Sequence, residues 1–353
     1  MNEPIAMKGG GYYSLATLGA KHVIDGAAPM VLGAIARMPD GAGPFVFSDM
    51  GTADGGTSID LVTAVIAAVR ARWPGRDIAV IHTDQPRNDF NALIANVYGR
   101  PAETGVHWLQ SATSFYSQIL PSGMLDFGFS ATAMHWLSAK PCDISDHVQA
   151  VGARGAELEA FQRRGYADWR QILLHRASEL KAGGRLVLVN FCRDDEGRYL
   201  GHTGGVNMFD TFNRIWRAFL ADARIGEAEY RAMTLPQYYK SLAEFTEPLS
   251  DPEDPVFRAG LRLETAETRI VPCPFAAEFR RNRDAAGFAK AYIPTMRSWT
   301  ESTFFAALDS RRPLAERQAL IDCFYAAYAA LVAADPDDHG MGYVHAYLTI
   351  ARV

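Results

Sequence analysis

A mostly parallel α/β sheet covered by helices on both faces is the fold class predicted from the sequence, and three observations predict it. Dense apolar runs suited to buried strands recur at Phe45–Ser48, Ile78–His82, Met124–Ser130 and Arg185–Phe191. Helical patterns stand between them, at Ile59–Arg72, Asn88–Val97 and Asp168–Lys181. The first strand runs into a glycine loop, Phe45-Val-Phe-Ser-Asp-Met-Gly-Thr-Ala-Asp-Gly-Gly-Thr-Ser58, that opens a helix. Strands alternating with helices imply parallel pairing with both faces covered.

Each element carries chemistry as well as shape. Gly51, Gly55 and Gly56 let backbone pass close to a ligand, and the helix that follows offers free N–H groups. The spacing is not G-x-G-x-x-G, and an acid, Asp49, precedes the loop. That favours S-adenosylmethionine (SAM), with its cationic sulfonium and amino groups, over a dinucleotide pyrophosphate. The absent fingerprint weighs against a Rossmann-type oxidoreductase using NAD. Asp84 follows the second strand, Ile78-Ala-Val-Ile-His-Thr83, where an acid accepts ribose hydroxyls. The helix Asp168–Lys181 is expected to stop at Gly183-Gly184 before the strand centred on Leu186-Val-Leu-Val189.

After about Gly201 the pattern changes. Phe209–Ala221, Ile225–Met233 and Leu242–Thr246 read as helices, and Leu261–Val271 as a strand. Residues 274–333 turn helical again, most clearly at Leu314–Ala333, and Tyr343–Val353 is a final strand. The chain therefore divides into an α/β core with an N-terminal lid over substrate and cofactor (1–205), a first cap segment (206–255), a core strand (256–273), a second cap segment (274–338) and a terminal core strand (339–353). A cap over the C-terminal edge of the sheet would enclose an apolar substrate.

Composition narrows the function classes. The 353 residues are 48% hydrophobic and 21% charged, which suits a soluble globular chain. The net charge of −5 without a basic block excludes nucleic acid and anionic membrane as expected partners. No stretch approaches the ~20 apolar residues of a membrane helix. Cys142, Cys192, Cys273 and Cys323 are scattered, so reduced thiols in a cytoplasmic protein are expected, with no metal site. The N-terminus has no charged leader before an apolar run, so no signal peptide is expected. Ser114 and Ser130 lack a G-x-S-x-G elbow, which argues against a hydrolase.

Seven segments in order carry a family resemblance. They are Met7-Lys-Gly-Gly10, Asp84-Gln-Pro-Arg-Asn-Asp-Phe-Asn91, Ser114-Phe-Tyr-Ser-Gln-Ile-Leu-Pro121, Phe129-Ser-Ala-Thr-Ala-Met-His-Trp-Leu-Ser138, Glu179-Leu-Lys-Ala-Gly-Gly-Arg185, Leu235-Pro-Gln-Tyr238 and Met296-Arg297. Together they resemble the SABATH methyltransferases, which transfer a methyl group from SAM to a carboxylate or, in the caffeine branch, to a ring nitrogen. The composition suggests a bacterial relative. The resemblance implies a Rossmann-like class I SAM-dependent methyltransferase core, a mostly parallel seven-stranded sheet with an α-helical cap. It implies methyl-ester formation on a small or medium apolar acid, with aromatic acids of benzoate, salicylate or indole-acetate type first. Fatty or terpenoid acids and a xanthine-like ring nitrogen are the alternatives, and a non-catalytic SAM-binding protein is a third class. It also implies a homodimer as the candidate assembly.

By position, the resemblance places Lys8 at the cofactor entrance, Asp49, Gly51 and Thr57 around the methionine end, Asp84 and Gln85 around ribose, and Ser114, Phe115 and Ser130 near adenosine. It gives the substrate carboxylate to Trp136 and to the position of an N-terminal Gln, which here holds His22. The indole N–H is a donor only and suits an anionic oxygen. Thr132, His135, Met208, Phe209, Met296, Trp299 and Tyr343 would line the substrate cavity. Three of the family's side chains are replaced by smaller ones, at Leu15, Gly19 and Thr132. A carboxylate is already ionised near neutral pH, so no general base is required.

Overall fold

The computed structural model describes residues 17–98 and 103–353. Its first half holds α1 (Leu18–Ala36), β1 (Phe45–Met50), α2 (Ile59–Arg72), β2 (Ile78–Thr83), α3 (Phe90–Tyr98), β3 (Val106–Ser111) and β4 (Leu125–Ala131). Then come α4 (Gly155–Glu179), β5 (Leu180–Arg193), α5 (Met208–Ala221), α6 (Glu227–Ala232), β6 (Lys240–Ser241), α7 (Leu242–Ser250) and α8 (Pro255–Arg258). The chain closes with β7 (Leu261–Val271), α9 (Pro274–Asn282), α10 (Ala285–Ala307), α11 (Leu314–Ala334) and β8 (Tyr343–Arg352).

Seven strands lie in the order β3-β2-β1-β4-β5-β8-β7, and the two-residue β6 pairs with β5 beside them. The pairs among β1 to β5 are parallel. β8 runs antiparallel to both β5 and β7. Strand order reverses beside β1, and the crevice at such a reversal is where open α/β sheets hold ligands. Because side chains alternate along a strand, one run serves two cores. Val187 and Val189 face the core built with α1 and α2, including Val31, Val62 and Val65. Leu186 and Leu188 face the opposite core, with Trp169, Ile172 and Phe245. The cap is an aromatic cluster of α5, α10 and α11, in which Trp216 stacks on Phe324 at 4.4 Å between ring centroids.

Three elements depart from the expectation. β3 was not foreseen: its residues are only partly buried and Leu109 is exposed, as an edge strand allows. The helix expected from Asp168 begins at Gly155, because a polar first half still packs Phe161 inward. Gly183-Gly184 does not end that helix; it lies inside β5, where the pairing with β4 shifts register. Gly183 has φ +77°, and a Cβ there would stand 2.5 Å from Pro39. The stretch 206–255 also splits. α5 and α6 join the cap, whereas α7 packs Phe245 and Leu249 onto the sheet core with Trp169.

Candidate active site

The C-terminal ends of β1, β2 and β4 build the first half of the site. Asp49 is buried, and its Oδ2 accepts from Thr52 Oγ1 at 3.0 Å and Ser58 Oγ at 2.6 Å. Burial pushes its carboxyl up to about 6, against the pull of those two hydroxyls. Its Oδ1 accepts no hydrogen bond from a described residue. Asp84 accepts from the Ala53 N–H at Oδ2 and from the Gln85 N–H at Oδ1, each at 2.7 Å. Burial raises its pKa too, against those two N–H groups. The loop between them is clamped from α3 and the turn before it: Asn88 Nδ2, ahead of the helix, donates to the Ala53 carbonyl and Asn96 Nδ2, within it, to that of Asp54.

Gly51 has φ +78°, and a Cβ there would meet Ala133 at 2.6 Å and the Phe115 ring at 3.6 Å. The glycine therefore keeps a floor open beside a buried aromatic face. The buried Ser130 hydroxyl donates to the Met50 carbonyl at 2.7 Å, which ties β4 to the end of β1. Thr57 is buried in the loop, and Ser114 precedes Phe115 on the segment after β3. Two carboxylates, one of them with an unused oxygen, and an aromatic face fit the amino group, ribose diol and adenine of SAM. Lys8 and Leu15 lie outside the described residues.

The second half is a cavity of about 380 Å³, open mouth included, between this edge and the cap. Of the expected residues, Thr132, His135, Trp136, Trp299 and Tyr343 line it. Thr17, Ala20, Phe191, Leu200, Gln237 and Met341 complete the wall and were not foreseen. Phe191 at the end of β5 and Met341 just before β8 were findable, because β8 starts at the edge where the parallel strands end. Gln237 sits inside the matched segment Leu235–Tyr238. Trp136 is half-buried, and its Nε1 has no hydrogen-bond partner among the described residues. Its backbone is held by the Tyr116 hydroxyl, which donates to the Trp136 carbonyl. Buried His135 packs edge-on against Phe191 at 4.7 Å, and burial lowers its pKa well below the usual value, so it is neutral.

Four expected residues stand elsewhere. His22 is exposed on α1, whose inward face is carried by Ala20, Val23, Ile24 and Ala27, so it does not line the cavity. Met208, Phe209 and Met296 are fully buried behind the wall rather than on it. Met208 packs on Gly201, and the Phe209 ring lies between those of Tyr239 and Trp299. The resemblance places them by position along the chain, which does not separate wall from core. Among the described residues no group of three His, Cys, Asp or Glu is placed to hold a metal ion.

Gly19 sets how close Tyr343 comes to α1. A Cβ at Gly19 would stand 2.1 Å from Tyr343 Cε2, whereas one at Gly26 meets only Tyr347 Oη at 3.8 Å. The same substitution should therefore have opposite signs on one helix. Gly26→Ala is expected to stabilise by about 0.5–1 kcal/mol. Gly19→Ala is expected to cost about 1–3 kcal/mol and to displace a cavity wall. Thermal unfolding of both variants checks this, and equal shifts would refute it.

Comparison with known proteins agrees with this geometry. Residues 5–304 match the family model described as SAM-dependent carboxyl methyltransferase. The O-methyltransferase acrG of Aspergillus aculeatus is 28% identical over 269 residues, covering 72% of this chain and 69% of that protein. Indole-3-acetate O-methyltransferase 1 of Arabidopsis thaliana is 25% identical, covering 58% of this chain and 60% of that protein. Salicylate carboxymethyltransferase of Clarkia breweri is 24% identical, covering 69% and 72%. A solved loganic acid methyltransferase with S-adenosylhomocysteine (SAH) superimposes with a TM-score of 0.77 at 17% identity, covering 99% of this chain and 98% of that one, and shows the same fold. With a family match across most of its length and a SAM-type sheet edge facing an apolar cavity, the chain belongs to the SAM-dependent carboxyl methyltransferases of the SABATH family.

Proposed function

We propose that the enzyme esterifies the free carboxylate of a small apolar acid, and that this acid is aromatic, of benzoate, salicylate or indole-acetate type. One observation carries the reading: among the described residues the buried Trp136 Nε1 has no partner, and it belongs to a cavity to whose wall they contribute no charged side chain. A donor-only group in apolar surroundings suits one small anion held in a fixed place. Phe191, Trp299 and Tyr343 supply flat apolar faces, which favour a ring over a long chain.

SAM supplies an electrophilic methyl group on a sulfonium. The wall positions one carboxylate oxygen and keeps water out, and such positioning is worth up to about 7–11 kcal/mol of a barrier. No residue needs to remove a proton, since the acid is ionised. Neutral His135 is placed to orient rather than to act as a base. In this reading Asp49, Gly51, Thr57, Asp84, Gln85, Ser114 and Phe115 hold the cofactor, and Ser130 braces the floor. A homodimer and a cytoplasmic location belong to the same proposal. No helix among the described residues is long and apolar enough to cross a membrane.

Methyl transfer from labelled SAM to a panel of acids, their amides and xanthines tests the reaction. Product on an acid and not on its amide supports it; product on xanthines alone overturns it. The cofactor side gives a pH prediction. Asp49 titrates at about 6, and a cation beside it is held only by the ionised form. SAM affinity should thus hold at pH 7 to 8 and fall as pH drops through 6, by about tenfold at pH 5. Calorimetric titration should show this loss, and Asp49→Asn should bind weakly with no such slope. A wild-type affinity flat from pH 5 to 8 would remove Asp49 from the cofactor site.

A further inference from the structure

We propose that Gln237 is the second donor to the substrate carboxylate, at the place that exposed His22 does not fill. This rests on the carboxyl methylation reading above. Gln237 is buried in the segment between α6 and β6 and lines the cavity. It stands opposite Trp136 in an isolated antiparallel bridge. The Leu137 N–H donates to the Pro236 carbonyl at 2.8 Å and the Tyr238 N–H to that of His135 at 3.0 Å. Residues directly opposed in an antiparallel pair send their side chains to the same face. The indole and the amide therefore share one wall.

The amide is also oriented. The Tyr239 hydroxyl donates to Gln237 Oε1 at 2.9 Å, and both groups are buried. A glutamine amide has one acceptor oxygen and an NH₂ donor. With the oxygen occupied, Nε2 remains, and it donates to no described residue. Trp136 Nε1 and Gln237 Nε2 are then two neutral donors beside neutral His135.

Neutrality suits the reaction. The carboxylate loses its charge as the O–CH₃ bond forms and the C–S bond breaks, with SAH leaving. A lysine or arginine would stabilise the starting anion more than the transition state and slow the step. Neutral donors hold position with less of that penalty. Two donors also discriminate: an amide presents its own NH₂ to one of them and leaves it unpaired.

The experiment is steady-state kinetics of the full chain with saturating SAM and the best acid of the panel, alongside SAH binding by calorimetry. Gln237→Leu should raise the acid KM roughly 10- to 100-fold, the span of one hydrogen bond to a charged group, with SAH affinity unchanged within about twofold. Gln237→Glu is a donor only when protonated, so its kcat/KM should rise relative to wild type as pH falls from 8 to 5.5. Tyr239→Phe frees the amide to turn and should raise KM by roughly threefold to tenfold. If Gln237→Leu does not fold, the other two variants carry the test. Wild-type KM in Gln237→Leu, or in its absence a flat relative pH profile for Gln237→Glu, overturns the assignment while leaving carboxyl methylation intact. Absence of turnover on every acid by the wild type overturns both.

Discussion

Trp136→Ala should lower kcat/KM for the acid by about 10³-fold or more while SAM affinity stays near wild type. The lost hydrogen bond to an anion is worth about 1.5–3 kcal/mol, and the lost aromatic contact about 2 kcal/mol more. The sum corresponds to roughly three powers of ten. The effect should be local, because the frame survives the change. The Tyr116 hydroxyl and the bridge to Gln237 hold the backbone at residue 136, not the indole. Trp136→Phe separates the parts: it keeps most of the ring and loses only the donor, so its loss should be about 10- to 100-fold. Single-turnover kinetics with preloaded SAM would check both. Normal turnover by Trp136→Phe would show that the indole N–H does not hold the carboxylate.

Arg176→Met should destabilise the fold by about 3–5 kcal/mol, the cost of stranding one charge of a buried pair. Arg176 and Glu179 are both fully buried and pair at 2.6 Å between Nη2 and Oε1. Arg176 also donates to the Phe115 carbonyl at 3.2 Å and the Ser117 carbonyl at 2.9 Å. Glu179 Oε1 accepts from the Ile119 N–H at 2.5 Å and the Leu120 N–H at 3.2 Å. One ion pair therefore fastens the whole segment after β3 to α4. Denaturant unfolding should show the loss, and SAM affinity should fall with it as Phe115 comes free. Arg176→Met with Glu179→Leu should recover only part, because two backbone N–H groups then lose their acceptor. Full recovery would mean that neither the pair nor its backbone contacts add net stability, the loss in the single variant coming from the stranded charge alone.

The core strands were legible because burial on both faces demands continuous apolar residues. Phe45–Ser48, Ile78–His82 and Leu186–Val189 satisfy that demand. β3 was not legible, since an edge strand needs no such run. The helix ahead of β5 was misjudged at both ends: a polar N-terminal half hid its start, and a glycine pair that serves a strand register shift looked like a stop.

The sequence by itself pointed to a SAM-type fold through local chemistry, and to the class of the enzyme through the resemblance of seven ordered segments to one family. An acid before a glycine loop, an acid at the end of the next strand and a His-Trp pair after the fourth strand depend on neighbours a few residues away. Tertiary structure alone decided the wall of the cavity. Whether Met208 or Met341 lines the cavity depends on how α5 seats against the sheet, and both are equally apolar as letters. That His22 faces out, and that Gln237 stands across from Trp136, are results of long-range packing and strand pairing. Periodicity specifies which way a side chain points from its own element. Only the packing of elements specifies what it meets there.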